Sequence, residues 1–343
     1  MLWPNHLPEL PWIGVSTEAW GETRLGWGRT FNSTDLAAAY NLLHDHGLRL
    51  FDTSELYGHQ GQRLAESSEQ LLGTLASRRP EPPILSTKFT PVPWTNVLSG
   101  GGLRLGRASV LEALRNSLTR LGASSVEIYS VSAPAPFGGR RAFFEGAAEA
   151  HRLGLIGGVG ACHFNAPRIR QAHAICAQLG LPLLTNQIRF SLFNLEKDLD
   201  GTIETCLELG ITPVALSPLA GGMATTRYAR AAATRAASAG MLGRGGVPIP
   251  SGGPPQLQPL EPAFRALSQV AEAAPRRSET QAALQYVAAR GCVPLPSVTS
   301  EEHAQELADA MGWQISLDEL DALHEQALSL HVRRPDVPWL RRL

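Results

Sequence analysis

The chain has 343 residues, of which 43% are hydrophobic and 18% are charged, and its formal net charge is -1. This composition is typical of globular proteins and excludes the disordered and fibrous classes. Positive and negative residues are interspersed without long blocks of one sign, so we expect no nucleic-acid partner and no basic membrane-binding patch. No apolar run approaches the roughly 18 residues that cross a bilayer. The sequence therefore predicts no membrane association.

The cysteines indicate a reducing environment. Cys162, Cys176, Cys206 and Cys292 lie far apart and form no C-x-x-C pair, which argues against a disulfide framework and against a bound metal. The opening MLWPNHLPELPWIGV lacks the basic flank and apolar stretch of a secretory signal. We expect a cytoplasmic protein, with a plastid as the alternative if a leader has been removed. Nothing in the sequence indicates an oligomeric state.

Eight short apolar runs alternate with segments of helical spacing. The runs are PWIGVS, LRLFDTS, PPILSTKF, VEIYSVS, LIGGVGA, LPLLTNQ, ITPVALSP and CVPLPS. Strands that are apolar throughout are typical of a parallel sheet covered on both faces. Eight such units predict a closed (β/α)8 TIM barrel that forms a single α/β domain over residues 1–343. A doubly wound open sheet is the alternative, but no strand leads into a G-x-G-x-x-G turn.

The segments between the runs predict helices. SVLEALRNSLTRLG begins with a Ser109-x-x-Glu112 capping box and has apolar residues at helical spacing. Further helices are predicted over 140–153, from about Pro167 to Leu179, near 198–209, over two stretches after Pro262, and from Ser300.

One insertion, at about 221–260, interrupts this alternation after the seventh strand. It is rich in Gly, Pro and Ala, has no acidic residue and contains Arg227, Arg230, Arg235 and Arg244. Barrel enzymes build their sites from the loops that follow the strands. The insertion is therefore either a surface loop or a flap over an anionic ligand.

An acid, a phenol and a lysine follow neighbouring strands. Asp52 ends strand two, Tyr57 lies in the loop after it, and Lys88 ends strand three. Neighbouring parallel strands lie about 5 Å apart, so Lys88 can pair with Asp52 below Tyr57. An ammonium group lowers the pKa of a phenol from about 10, which predicts a proton donor. The alternative is an ordinary ion pair beside a packed tyrosine.

Seven motifs occur in the order and spacing found in the aldo-keto reductases. They are LRLFDTSELYG, SSEQLLG, ILSTKF, LIGGVGACHF, TNQIRFSLF, VALSPLAGGM and VPLPSVTSEEHAQEL. The chain resembles this family over nearly its whole length, and most closely the branch found in cyanobacteria and plant plastids. The resemblance implies a barrel that binds NADPH, with NADH as the alternative, and reduces a small aldehyde or ketone. Tyr57 would protonate the carbonyl oxygen as hydride arrives from the nicotinamide, with Lys88 and Asp52 adjusting its acidity.

The resemblance also implies cofactor contacts at the strand ends. Gln187 matches the contact to the nicotinamide carboxamide, and Ser217, Pro218 and Leu219 match the loop beside the pyrophosphate. The other implied cofactor positions are Cys162, His163, Leu216, Ser297, Thr299 and His303. For His303 the alternative is an ordinary surface-helix residue. Glu69 matches a common family position, and its alternative is an ordinary helix charge.

Several positions depart from the family pattern. Ser132 stands at the end of strand four, where a catalytic histidine is usual, and a hydroxyl there can orient a carbonyl only through a water. Cys162 and His163 replace a usual Ser-Asn pair. Leu216 replaces an aromatic residue, and Thr299 stands where Lys or Arg commonly meets the 2′-phosphate. These departures weaken the NADPH site as the family usually builds it.

Three functions remain open. The first is a reductase that retains Tyr57 as its acid and has a modified carbonyl-binding side, on which Ser132 is a catalytic position. The second is a catalytically weak dinucleotide-binding sensor or partner subunit on the same barrel. The third is a lyase or isomerase that uses no nicotinamide. His163 has two interpretations, either polarising the carbonyl near Ser132 or replacing the usual Asn as a cofactor contact.

Overall fold

The computed structural model describes residues 11–58, 67–91, 106–132, 139–226 and 260–333. Eight parallel strands pair in sequence order, each with the next along the chain. They are β1 (Val15–Ser16), β2 (Leu50–Asp52), β3 (Ile84–Phe89), β4 (Val126–Val131), β5 (Ile156–Cys162), β6 (Leu183–Arg189), β7 (Thr212–Leu216) and β8 (Val293–Leu295).

The first and last strands meet and close the sheet into a barrel. The backbone N–H of Gly14 donates to Pro294 O at 3.0 Å, and the N–H of Ser16 donates to Pro296 O at 2.9 Å. Ser16 also forms a parallel bridge with Ser297. The predicted single-domain (β/α)8 barrel is confirmed. Its closure brings the C-terminal ends of all eight strands to one mouth.

Helices surround the strands. They are α1 (Ser33–Asp45), α2 (Ser68–Ala76), α3 (Arg107–Leu121), α4 (Gly139–Arg152), α5 (Ala166–Leu179), α6 (Glu196–Leu199), α7 (Thr202–Glu208), α8 (Glu261–Glu272), α9 (Glu279–Ala289), α10 (Glu301–Ala310) and α11 (Leu317–Arg333). Short 3-10 turns occupy Thr23–Leu25 and Ala220–Gly222. Of the predicted insertion at 221–260, residues 227–259 with their four arginines lie outside the described residues.

The predicted capping box is wrong. Helix α3 begins at Arg107, so Ser109 lies inside the first turn, where its hydroxyl donates back to Gly106 O at 2.8 Å. The helix predicted near 198–209 is two helices, because Gly201 between them adopts a left-handed φ of 73°. Helix α11 was not predicted from the sequence; its buried face carries Leu323, Ala327 and Leu330 at helical spacing.

The barrel interior has an apolar layer and a polar layer. The apolar layer consists of Leu50, Ile128, Leu184, Val214, Val293 and Leu295. On β2 and β4 the position two residues beyond this layer is polar, at Asp52 and Ser130, and the buried polar residues Ser86, Lys88 and Gln187 lie on β3 and β6. Side chains alternate between the two faces of a strand, so this polar layer lies directly beneath the mouth.

Glu69 is a buried residue and not a solvated helix charge. Its side chain is 0% exposed, and its carboxylate accepts from Arg120 Nε and from Thr87 Oγ1, each at 2.6 Å. The ion pair joins α2 to α3, and the threonine bond joins both to β3 immediately before Lys88. Glu69 therefore helps to fix the strand that carries the lysine.

All four cysteines are buried free thiols. In the described ranges, no group of three or more His, Cys, Asp or Glu side chains is arranged to hold a metal ion. No helix among the residues described above is both long enough and apolar enough to cross a membrane.

Candidate active site

A buried lysine, one residue before the end of β3 and not at its end as predicted, organises the mouth of the barrel. Lys88 is 4% exposed, and its ammonium group pairs with the carboxylate of Asp52 at the end of β2. The same nitrogen donates to Thr53 O at 2.8 Å and to the Tyr57 hydroxyl oxygen at 3.3 Å. These three bonds use all three hydrogens of the ammonium group. The structure thus brings the predicted trio together and fixes the position of the lysine.

The carboxylate of Asp52 connects the lysine to β6. Its Oδ1 atom accepts from Gln187 Nε2 at 2.6 Å and from Ser86 Oγ at 2.8 Å. The other end of the amide, Gln187 Oε1, accepts from the thiol of Cys162 at 3.5 Å. A continuous hydrogen-bonded chain therefore runs from Cys162 across the barrel to Tyr57. The sequence placed Gln187 at the end of β6. In the structure it lies two residues before that end.

Burial and neighbouring charges act in opposite directions on these groups. Burial lowers the pKa of Lys88, but the charge of Asp52 outweighs burial and leaves that pKa above its ordinary value. Burial raises the pKa of Tyr57 above its usual range, and the ammonium of Lys88 only partly offsets the rise. The net lowering expected from the sequence is therefore absent. Burial also raises the pKa of Cys162 to about 12, so both the phenol and the thiol are protonated at neutral pH.

Ser132 follows β4 and contacts the residue after β3. Its hydroxyl donates to Thr90 Oγ1 at 3.1 Å, and its backbone N–H donates to Phe89 O at 2.9 Å. Thr90 is itself held by its backbone N–H, which donates to Glu55 Oε1 at 2.7 Å. Ser132 is half-buried at the mouth. The hydroxyls of Ser132 and Thr90 thus form a hydrogen-bonded pair at the mouth.

Among the described residues beside the mouth, three that are not glycine have left-handed backbone. His163 follows β5 with a φ of 60°, Ser217 follows β7 with a φ of 52°, and Ala220 has a φ of 51°. Such residues cost about 1–3 kcal/mol each and cluster at ligand sites. The N–H of His163 donates to Gln187 O at 2.7 Å, which holds the turn against β6. The side chain of His163 is only partly covered by its neighbours. That partial burial is the largest cause of its lowered pKa, and the charges of Arg189, Lys88 and Lys197 follow.

The remaining predicted cofactor positions border the ends of β7 and β8. Leu216 and Leu219 are half-buried, Pro218 is buried, and Ser217 and Ser297 are exposed. Thr299 Oγ1 lies 3.3 Å from Nδ1 of the exposed His303. Both residues stand at the start of α10, whose first turn is capped by Ser300 Oγ.

The donors at these positions fit a dinucleotide. The N-terminus of α10 presents backbone N–H groups that suit a phosphate, and the exposed hydroxyls of Ser217 and Ser297 are neutral donors on the same rim. The amide of Gln187 has two hydrogens and two lone pairs, of which Asp52 and Cys162 use one each. One donor and one acceptor thus remain for a carboxamide.

Sequence reasoning missed three members of this site. Thr53 contributes only its backbone carbonyl, which leaves no mark in a sequence. Ser86 and Thr90 contact Asp52 and Ser132 respectively. The sequence did contain a signal for both residues. Ser86 lies two positions before Lys88 and so faces inward with it, and Thr90 directly follows the end of β3. Neither residue type is distinctive enough to select on spacing alone.

Comparisons with known proteins identify the family. The sequence profile of the Aldo/keto reductase family matches residues 19–327. A chloroplastic pyridoxal reductase from Arabidopsis thaliana is 30% identical over 321 residues, which cover 90% of this chain and 80% of the relative. A 6-dehydroglucose reductase from Novosphingobium aromaticivorans is 30% identical over 226 residues, covering 64% of this chain and 70% of that protein.

The solved structures support the same fold. A glycerol dehydrogenase from Gluconobacter oxydans superposes with a TM-score of 0.76 at 18% identity, covering 96% of this chain and 95% of that one. An aldo-keto reductase from Bacillus halodurans superposes with a TM-score of 0.67 at 17% identity, with coverage of 92% and 91%. The family profile spans most of the chain, and the strand ends carry a buried Asp-Lys pair bonded to a tyrosine. This chain belongs to the aldo/keto reductase family and is an oxidoreductase of the class that reduces carbonyl compounds with a nicotinamide cofactor.

Proposed function

We propose that the chain reduces an aldehyde to an alcohol with NADPH and uses Tyr57 as the general acid. The observation that carries the proposal is the fully engaged ammonium group of Lys88, which donates one of its hydrogens to the tyrosine oxygen. That bond occupies a lone pair on the oxygen, so the phenol's own hydrogen is free to point towards the mouth. Asp52 fixes the lysine in this position.

Tyr57 acts as an acid because it is protonated at neutral pH. A carbonyl oxygen that lies within hydrogen-bond distance of the phenol accepts its proton as negative charge develops. The bound nicotinamide supplies the hydride that reduces the carbonyl carbon. Lys88 then stabilises the phenolate that remains, since a fixed cation in a buried site needs no reorganisation to do so. The proton returns from solvent through the mouth.

The cofactor is assigned to the ends of β5 to β8. Gln187 and Cys162 would hold the carboxamide end, Leu216 would cover the ring, and Ser217, Pro218 and Leu219 would lie beside the pyrophosphate. His163, Ser297, Thr299 and His303 complete the set. Their support is that they lie at or after the ends of four consecutive strands, and that Gln187 bonds to Asp52, the partner of Lys88 beside Tyr57.

Pyridoxal is the first substrate to test, because the Arabidopsis thaliana relative is a pyridoxal reductase. The experiment mixes the protein with NADPH or NADH and a panel of aldehydes that includes pyridoxal, and follows the loss of reduced-nicotinamide absorbance. The expected result is aldehyde-dependent oxidation of the cofactor. Cofactor binding without oxidation by any aldehyde would contradict the proposal.

That contrary result would support the second candidate, a weak enzyme that senses or binds the dinucleotide. The hydroxyl of Ser132, which replaces the usual histidine, favours this candidate because it donates to Thr90. A hydroxyl engaged in this way is less available to polarise a carbonyl. Introducing the histidine by Ser132→His separates the two, because only the weak enzyme gains substantial activity from it.

We expect preference for NADPH over NADH to be modest. Thr299 offers a 2′-phosphate only a neutral hydrogen bond, which is about half as strong as a charge-assisted one. Thr299→Arg should raise the ratio of kcat/KM for NADPH to that for NADH by roughly tenfold, whereas Thr299→Gln adds length without charge and should not. A wild-type ratio near a thousand would contradict this assignment of the phosphate contact.

For His163 we expect the role of a cofactor contact. Asparagine also tolerates left-handed backbone, so His163→Asn should preserve the turn, leave kcat unchanged and alter the dissociation constant of the cofactor. The measurements are steady-state kinetics and cofactor titration by fluorescence. A fall in kcat at unchanged cofactor affinity, restored by adding Ser132→His, would instead give His163 the carbonyl-polarising role.

A further inference from the structure

The loop after β1 brings a carboxylate to the mouth beside Tyr57. The N–H and the hydroxyl of Thr17 both donate to Asp52 O, at 2.9 and 3.1 Å. Ser68 Oγ donates to Thr17 O at 2.9 Å, and its backbone N–H donates to Tyr57 O at 3.1 Å. Ser68 thus links the backbone of Thr17 to the backbone of Tyr57. The next residue after Thr17 is Glu18, so its backbone is fixed next to the proposed acid.

Glu18 has a charge that the described residues do not neutralise. It is exposed, and no ion pair is formed with it in the described part of the chain. The neighbouring acids differ, because Asp52 pairs with Lys88 and Glu22 pairs with Arg24. Burial is the largest cause of the raised pKa of Tyr57, and the charge of Glu18 adds to the rise. The carboxylate is therefore within electrostatic reach of the phenol.

A cation lies on the side of the mouth that is assigned to the cofactor. Arg189 ends β6 and lies in register with Leu216 on β7. After burial, its charge is the next cause of the lowered pKa of His163. A cation at this position suits an anionic cofactor, and assigning the ends of β5 to β8 to that cofactor leaves the side of β1 to β4, where Glu18 lies, for the substrate.

We infer that Glu18 selects substrates by charge, favouring aldehydes that carry an ammonium or pyridinium group over those that carry a carboxylate or phosphate. The inference rests on the proposed function, because it requires the carbonyl oxygen at Tyr57. A carboxylate attracts the cation and repels the anion. Both effects raise the ratio of kcat/KM for the cationic aldehyde to kcat/KM for the anionic aldehyde. Loss of the charge should therefore lower that ratio by roughly tenfold.

The test uses three para-substituted benzaldehydes: 4-(trimethylammonio)benzaldehyde, 4-formylbenzoate and the neutral 4-methylbenzaldehyde. The kcat/KM of each is measured with NADPH for the wild type, Glu18→Gln and Glu112→Gln. The last is the matched control, since Glu112 is an exposed acid on α3. Each charged substrate is normalised to the neutral one, and intrinsic reactivity cancels when variants are compared.

The expected result is a roughly tenfold fall in the cation-to-anion ratio in Glu18→Gln and no fall in Glu112→Gln. The wild-type ratio should also shrink at high salt, because exposed charges are screened within about 10 Å at 0.1 M ionic strength. An equal ratio in the wild type and Glu18→Gln would overturn the inference. An equal fall in Glu112→Gln would overturn it too, since net charge would then be the cause.

A binding measurement keeps the inference testable without turnover. The alcohols of the two charged aldehydes are titrated into the protein with oxidised cofactor and followed by saturation-transfer NMR. The wild type should bind the trimethylammonio alcohol more tightly, and Glu18→Gln should remove that preference. Failure of the neutral aldehyde to react would count against the proposed function, whereas equal affinity for the two alcohols would count against the role of Glu18.

Discussion

Replacing Tyr57 with phenylalanine is expected to lower kcat for aldehyde reduction by about 10²- to 10⁴-fold, the range that a positioned general acid contributes. The ring remains and can still cover the ammonium of Lys88, which lies 4.7 Å from the ring centroid. The variant removes the hydroxyl, its proton and one acceptor of the Lys88 ammonium group. The unfolding free energy should therefore fall by about 1 kcal/mol, whereas cofactor affinity should remain close to that of the wild type. The measurements are single-turnover reduction, cofactor titration and urea unfolding.

The pH dependence provides a second readout of the same residue. The acid works only while it is protonated, and its pKa lies above the ordinary phenol value. Reduction by the wild type should therefore be insensitive to Tyr57 ionisation at neutral pH and should fall in alkaline solution. Residual activity in Tyr57→Phe should lack that alkaline fall. Turnover equal to the wild type in this variant would remove Tyr57 as the acid and with it the proposed mechanism.

The barrel could be predicted from the sequence because its strands have a repeated signal. Eight apolar runs alternate with helical spacing, and parallel strands in one sheet leave few other arrangements. The ends of β2 and β3 were predictable for the same reason, so Asp52 and Lys88 could be paired from their positions. What fixes such a pair is strand order, which the alternation of elements determines.

Other parts of the site could not be predicted, because they depend on backbone atoms and on net electrostatics. The carbonyl of Thr53 is a partner of Lys88, and every residue has a carbonyl. The sequence indicated a lowered pKa for Tyr57 because the nearby ammonium was evident and the extent of burial was not. Similarly, Glu69 could be placed on a helix, but its burial against Arg120 depends on how α2 and α3 pack.

The second large effect is expected when the buried ion pair is broken. Lys88→Met leaves the carboxylate of Asp52, which is 1% exposed, without its cation. Removing one partner of a buried pair costs roughly 3–5 kcal/mol of unfolding free energy. The hydrogen bonds from Ser86 and Gln187 remain and place the expected loss near the lower end. Activity should fall at least about 10²-fold, because Tyr57 loses the cation that stabilises its phenolate.

A double variant separates the two losses. Asp52→Asn combined with Lys88→Met removes both charges, so urea unfolding should show most of the lost stability restored while activity stays low. The pH dependence has a definite sign: the pKa of Lys88 in the folded chain lies above its unfolded value of about 10.4. The pair's contribution is therefore complete below that pH and declines as pH rises further. If Lys88→Met alone has the same unfolding free energy as the wild type at neutral pH, solvent reaches Asp52. The Asp52–Lys88 pair is then not the buried ion pair that the proton-donor mechanism requires.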